Sequence, residues 1–367
     1  MKYLLLAIIC IFTMQFISYA DEGSFNPCAS STYSMHYSDV TETIFFGCNW
    51  DGDSENVVEI DPFTLEQLSE YEFVGVIQSV YVINDGQSLL VLHAGGDFDN
   101  LVEDGVLIQV STLDGSEENR ITFETSPIYS VMDSCEQYLY ISHGLTGDSG
   151  YYISKIDVDT FEKVGADIEP NHYVKQMALS NDDSKLYYFT AIPFERPKPD
   201  WSIYYKIFTV STNGSSGMIP GDPVEISYVP ISLLSGNDDT LFIACGHSDI
   251  DSKYNLVIVN TLTDNYTTLT FPDIGFDFMS IDRISNKLYC KVREPGINRF
   301  GAIYYGSVNK VCQLDIDDNY STQFFTLGEK KLLSVLAVPS SDPDYECRIF
   351  ATEYSGPMIH YLDIPRS

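Results

Sequence analysis

The chain of 367 residues is short of positive charge: 20 Lys and Arg stand against 53 Asp and Glu, giving a formal net charge of −33. Nucleic-acid binding needs clustered cations that displace condensed counterions, so no nucleic-acid partner is expected. An anionic membrane surface is disfavoured for the same reason. Long apolar runs are also scarce. After the opening "MKYLLLAIICIFTMQFISYA" no stretch reaches the roughly 20 apolar residues that a bilayer crossing needs, so no membrane insertion is expected. Sustained helical periodicity is missing, tryptophan is limited to Trp50 and Trp201, and no cysteines have CxxC or zinc-ligand spacing. The sequence lacks a GxSxG elbow, an HExxH pair, a glycine-rich phosphate loop and a dinucleotide fingerprint, so none of the enzyme classes those motifs mark is indicated.

What is present begins with the leader. Lys2, an apolar stretch from Tyr3 to about Phe16, and small residues at Ser18 and Ala20 follow the order of a secretion signal. They predict a signal peptide over residues 1–20, a single domain over 21–367 and a secreted, extracellular protein. Asn-x-Ser/Thr triplets at Asn213, Asn265 and Asn319 lie in turn-rich segments and are predicted glycosylation sites. Of eight cysteines, Cys10 leaves with the signal. Cys28, Cys48, Cys135, Cys245, Cys290, Cys312 and Cys347 remain, and disulfides are expected in an oxidising compartment, with at least one thiol left free or intermolecular. The strong acidity serves first to keep such a protein soluble.

Seven copies of one short apolar unit run through the chain: "TIFFGC" around Ile44, "SLLVLH" around Leu89, "YLYISH" around Leu139, "KLYYFT" around Leu186, "TLFIAC" around Leu241, "KLYCKV" around Leu288 and "RIFATE" around Ile349. Their spacing of 45 to 61 residues is that of propeller blades. Each copy is preceded by an apolar run such as "VKQMAL" or "FDFMSI" and a polar turn such as "NDGQ" or "SNDDS". A third run ending Ile-Asp or its like follows, as in "NVVEIDPFT" and "YYISKIDVDT", and then a short outer run such as "QLSEYEF". Val, Ile, Tyr, Phe and Thr in the runs, with Asn, Asp, Gly and Ser between them, are strand and hairpin chemistry. The expectation is an all-β, seven-bladed β-propeller with four-stranded antiparallel blades. The last copy has only three runs before the chain stops, so residues of about 21 to 30 are expected to supply its fourth strand and close the ring.

The units "KLYYFT", "KLYCKV" and "YYISKIDVDTFEKV" resemble those of the YVTN and lactonase-like propellers, a likeness that extends as a loose pattern over residues 30 to 367. The pattern departs from WD40 repeats, lacking a Trp-Asp pair at the blade ends, and from kelch repeats, lacking paired glycines. The resemblance implies the fold and brings hydrolase chemistry into view. It transfers no catalytic residue, because no catalytic motif of the family is matched.

In such a ring, loops between second and third strands emerge on one face with the loops joining neighbouring blades. Four residues after each anchor come Cys48, His93, His143, Thr190, Cys245, Val292 and Glu353, with His247 two residues beyond Cys245. His93, His143, His247 and Glu353 form a candidate metal or proton-transfer ring, set against the reading that each caps its own strand end. The long loops "AGGDFDNLVEDG", "AIPFERPKPDWS" and "REPGINRFGAIYYGS" belong to the same face. They and the blade 1 loop carry Trp50, Trp201, Arg196, Lys198, Arg293 and Arg299, of which Trp50, Trp201, Arg196, Arg293 and Arg299 are the candidate ligand-binding residues for an extracellular glycan or protein. Closely spaced carboxylates at Asp51 and Asp53, Asp249 and Asp251, and Asp315, Asp317 and Asp318 suit calcium, without the full EF-hand spacing. No motif demands a cofactor, and calcium or a transition metal is the ion chemistry these groups suit. The leading expectation is a binding or scaffold module; the alternative is a metal-assisted hydrolase or lactonase-like enzyme.

Overall fold

The computed structural model describes residues 22–28, 32–48, 55–73, 76–94, 105–144, 150–190, 206–212, 217–246, 254–271, 274–297, 303–353 and 358–366. Among these the chain is built of strands and turns, without a helix. Seven antiparallel sheets follow one another in sequence. Blade 1 comprises Thr32–Ser38, Thr43–Cys48, Glu55–Ile60 and Gln67–Phe73, and blade 2 Val76–Ile83, Ser88–Ala94, Gly105–Ser111 and Glu117–Phe123. Blade 3 runs Pro127–Met132, Tyr138–Gly144, Tyr151–Asp157 and Glu162–Lys163; blade 5 runs Val229–Ser235, Thr240–Gly246, Tyr254–Asn260 and Tyr266–Phe271. Blade 6 is Gly275–Asp282, Lys287–Ile297, Ile303–Asp315 and Ser321–Thr326.

Blade 4 departs from four even strands. After Val174–Leu179, Lys185–Thr190 and Lys206–Ser211, its outer strand is split into Ile219–Pro220 and Val224–Glu225, both paired with the third strand. Pro220 and Pro223 flank the break, and a proline has no N–H to give a ladder.

Blade 7 consists of Leu332–Pro339, Tyr345–Glu353 and Ile359–Pro365, and its outer strand is Glu22–Phe25 from the other end of the chain. The register sets Glu22 opposite Leu362 and Phe25 opposite Ile359. Phe25 packs edge-on to Phe46 of blade 1 and Phe350 of blade 7, at 6.0 and 6.2 Å between ring centroids. Ring closure by residues near the N-terminus therefore holds as the sequence predicts.

The first strand of every blade contacts the first strands of both neighbours, blade 7 to blade 1 included, so the seven first strands surround the axis. Seven apolar clusters fill the seven interfaces between blades. The second strands explain why the repeated units are apolar without alternation. In blade 1, Phe45 faces blade 2 while Ile44 and Phe46 face blade 7, so side chains of both parities are buried. Outer strands bury little and are correspondingly polar.

The Ile-Asp ending of the repeat has a local cause. Asp61 Oδ1 accepts the N–H groups of Phe63 and Thr64, each at 2.8 Å; Asp157 Oδ1 accepts from Thr160, and Asn260 Oδ1 from Thr263. Asp315 Oδ1 accepts from Asp317 and Asp318 at 3.1 Å. These side chains close the turn into the outer strand, a job that needs a short side-chain acceptor. The carboxylate group at 315–318 thus has a turn-building role, with Asn286 Nδ2 donating to Asp317 Oδ1. Asn265 and Asn319 are exposed in these same turns, at the end of the blades away from the long loops.

Candidate binding face at the channel mouth

Each first strand carries one residue too many. The ladder to the second strand skips Tyr33, Gln78, Ile128, Lys175, Ile231, Phe278 and Leu333, one in each blade. A bulge of this kind leaves a residue outside the ladder and re-aims the chain. Six lie where their second strands end; in blade 6 the strand runs on past the bulge, and much of the segment expected as a long loop, 293–307, is instead a hairpin pairing Arg293 with Ser307 out to Ile297 with Ile303. The seven bulges ring the axis at one mouth.

The residue opposite each bulge is the one that the sequence spacing singles out, in six blades of seven. Thr32 pairs Cys48, Ile77 pairs His93, Pro127 pairs His143, Val174 pairs Thr190, Pro230 pairs Cys245 and Leu332 pairs Glu353. Blade 6 is the correction. Its bulge comes one residue sooner along the second strand, so Asp277 pairs Lys291, and Lys291 replaces Val292 in the ring.

Equivalent positions do not share an environment. His143 Nδ1 lies 2.7 Å from Thr125 Oγ1, and its Nε2 lies 2.8 Å from Ser154 Oγ. Ser154 Oγ donates to Asp167 Oδ1 at 2.6 Å, so the hydroxyl accepts from Nε2–H and the neutral imidazole is satisfied within its own blade. Burial pushes its pKa down to about 4, against the opposing pull of Asp167. His93 is buried and also lowered, chiefly by burial. Glu353 accepts from Lys330 Nζ at 2.8 Å and His360 Nε2 at 2.9 Å. Burial works to raise the Glu353 pKa, and these two bonds outweigh it and hold it below the usual carboxylate range. Cys48 is joined to Cys28, while Cys245 is buried with its thiol pKa pushed far up by burial. Among the described residues no three His, Cys, Asp or Glu side chains converge to hold a metal. His247 lies outside the described residues, as do Trp50, Trp201, Arg196, Lys198, Arg299, Asn213 and the acidic pairs at 51/53 and 249/251.

The refusal of His143 to take a proton has a measurable consequence. The unfolded chain protonates it near its ordinary 6.5 and the folded chain only near 4. Its contribution is therefore complete above pH 6.5 and is lost as pH falls towards 4, amounting to about 3 kcal/mol. His36 on the first strand of blade 1 is lowered to about 4 for the same reason. Between pH 6.5 and 4 the unfolding free energy of His143→Gln is expected to fall less steeply than that of the parent. Parallel curves in urea titrations across that range would contradict the assignment.

Blade 6 brings charge to the mouth. Asp277 and Lys291 sit opposite each other, with Lys291 Nζ 3.1 Å from Asp277 Oδ1, and Arg293 Nε 3.8 Å from Asp277 Oδ2. Lys291 also donates to the carbonyl of Leu333, the bulged residue of blade 7, at 3.1 Å. Burial works against both charges of the close pair, pushing Asp277 up and Lys291 down. The bulged Lys175 of blade 4 is exposed and stands within the field of Asp277 and Arg293; desolvation by nearby protein lowers its ammonium pKa, against the pull of Asp277. Among the described residues Lys175 makes no hydrogen bond or ion pair.

Phe278, the bulge of blade 6, is 46 % exposed, with Lys291 Nζ 4.8 Å from its ring centroid. Its φ is 48°, in the left-handed region that a bulky side chain avoids. Every other non-glycine residue with positive φ among those described lies in a turn; Phe278 alone lies within a strand. Of the ligand-binding residues expected from sequence, Arg293 is the one the described face includes. Lys175, Asp277, Phe278 and Lys291 are additions to it. A charge inside an otherwise apolar run marks three of them, Lys175 in "VKQMAL", Asp277 in "FDFMSI" and Lys291 in the second-strand run "KLYCKV"; nothing in the sequence marks Phe278.

Comparison with known proteins agrees on architecture. No family model and no curated protein matches the sequence. Among solved structures, the β-propeller domain of Myceliophteria thermophila Cps50 (Swd1) is similar over 94% of this chain and 99% of that one, with a TM-score of 0.65 at 9% identity. Kuenenia stuttgartiensis hydrazine synthase is similar over 96% and 99% respectively, with a TM-score of 0.65 at 15% identity. At such identities the likeness is one of fold, and the chain is a seven-bladed β-propeller.

Proposed function

We propose that this chain is a secreted, glycosylated propeller that works as a binding or scaffold module, taking an extracellular glycan or protein on its long-loop face. The observation that carries this reading is the mouth itself. Seven rigid inner strands present one bulged residue each, and blades 4 and 6 add three cations, a carboxylate and an exposed aromatic ring at that end. A rigid frame with variable loops is a general arrangement for recognition. Placement outside the cell is supported by the leader pattern and by the Cys28–Cys48 disulfide. Exposed Asn265 and Asn319 leave room for glycans that would not crowd the mouth. Kinship with the YVTN and lactonase-like propellers rests on the repeat pattern, and His143 and Glu353, held by their own neighbours, lend no support to hydrolysis.

A glycan array and an extracellular-protein panel probed with the parent chain and Trp201→Ala test the proposal. The expected result is a defined ligand whose signal drops at least tenfold in the variant. Stoichiometric transition metal in the purified protein, together with esterase or lactonase turnover, would overturn it in favour of an enzyme.

A further inference from the structure

We propose that the channel mouth between blades 4 and 6 binds the anionic end of an acidic saccharide, the carboxylate set between Lys175 and Arg293 and the sugar ring laid on Phe278. This deepens the reading of the long-loop face as a binding face and rests on it.

Three observations meet there. The first is a concentration of positive charge among the described residues of a chain of net charge −33: Lys175, Lys291 and Arg293 all lie within the field of Asp277. Lys291 is committed, with Asp277, the Leu333 carbonyl and the Phe278 ring around its ammonium. Lys175 is not: it is exposed, makes no hydrogen bond or ion pair among the described residues, and has Asp277 only as a longer-range neighbour, so its ammonium is open to a second anion. The second is Phe278. Exposure and a positive φ within a strand are both costly for an aromatic residue, and such costs are kept where the site is used. The third is the seven-membered bulge ring, in which Lys175 and Phe278 are equivalent positions of blades 4 and 6 and so face the same axis from either side of blade 5.

These fit a uronate or a similar sugar acid better than a peptide carboxylate. A pyranose offers a C–H face to the aromatic ring and holds its carboxylate one bond from that ring, so both contacts form in one rigid placement. A Glu or Asp side chain carries its carboxylate on a flexible stem and must lose rotamer freedom to reach the same cations. Neutral sugars would keep the aromatic contact and lose the charge-assisted bonds, which are the stronger part.

The test uses the full mature chain titrated with glucuronate, with glucose, and with a short Glu-rich peptide, followed by heteronuclear NMR at low salt and at 0.5 M NaCl. Glucuronate is expected to bind at least tenfold more tightly than glucose, to weaken at high salt, and to lose about tenfold in Lys175→Met while Lys175→Arg retains it. Phe278→Ala is expected to weaken glucuronate and glucose alike. Equal binding of the two sugars, or no change in a folded Lys175→Met, overturns the site. Binding of the peptide without glucuronate overturns the saccharide assignment and leaves the binding-module reading standing. A Trp201-dependent ligand that is indifferent to Lys175 does the same, whereas failure of both this titration and the array removes the binding reading altogether.

Discussion

Replacing Arg348 with methionine is expected to lower the unfolding free energy by about 3–5 kcal/mol, the cost of stranding a buried charge. Arg348 sits on the second strand of blade 7, directly opposite Asp363 on the third. Its Nε and Nη2 donate to Asp363 Oδ1 and Oδ2 at 2.5 and 2.6 Å, a forked pair with side chains only 11% and 7% exposed. The remaining nitrogen, Nη1, crosses to blade 1 and donates to the carbonyls of Pro62 and Phe63 at 2.8 and 3.1 Å. One guanidinium therefore fixes the seam where the ring closes, and Lys could not replace it, because three separate directions need the planar fork. Methionine keeps much of the stem packing and leaves Asp363 buried and the two carbonyls without this donor. Adding Asp363→Leu should restore most of the loss, since replacing both partners removes the stranded charge. Chemical denaturation of the single and double variants decides the matter: a single-variant cost below about 1 kcal/mol would show that the seam is held by apolar packing alone.

The second large effect concerns the same seam. The Cys28–Cys48 disulfide spans 20 residues and fastens the segment after the closing strand to the mouth end of blade 1. Constraint of the unfolded chain over a loop of that length is worth about 3 kcal/mol. The paired change Cys28→Ser with Cys48→Ser is expected to cost that much, and to do so locally first. Glu22–Phe25 is an edge strand paired on one side only, to the third strand of blade 7. Without the tether its amides, and those of Ile359 to Leu362 opposite, should exchange faster than the inner strands of blades 3 and 4. Uniformly faster exchange throughout the ring would show that the bridge acts only on global stability.

The other thiols give a useful contrast. Cys245, Cys290, Cys312 and Cys347 are buried and their thiol pKa values are all raised by burial, that of Cys312 to about 12. Only Cys135 is exposed. The odd count of mature cysteines pointed to an unpaired thiol; the structure leaves five unpaired and shows that four of them behave as small apolar side chains.

Seven blades, their strand order and their closure by residues near 21–30 were legible in the sequence because each depends on local chemistry. A second strand buried on both faces must read as an unbroken apolar run, as "KLYYFT" does. The turn after a third strand needs a short acceptor, hence Asp61, Asp157, Asn260 and Asp315. An incomplete last unit must borrow a strand from whatever remains. The spacing rule for the mouth also worked in six blades, since it counts along a strand whose period is fixed at two.

It failed where counting along the chain stops being enough. A bulge has no residue preference here, falling on Tyr, Gln, Ile, Lys, Ile, Phe and Leu, so its one-residue displacement in blade 6 left no trace. Nor could residue type tell that His143 is spent on Thr125 and Ser154 while Lys175 is left unpaired. The sequence by itself determined the repeat, the number of units and the strand order within each, because hydrophobic period and turn chemistry act over a few residues. Only the tertiary structure decided which side chains come near one another: Lys291 of blade 6 reaches the Leu333 carbonyl of blade 7, and Lys175 of blade 4 lies in the field of Asp277, because the curvature of the ring sets distant segments around one mouth.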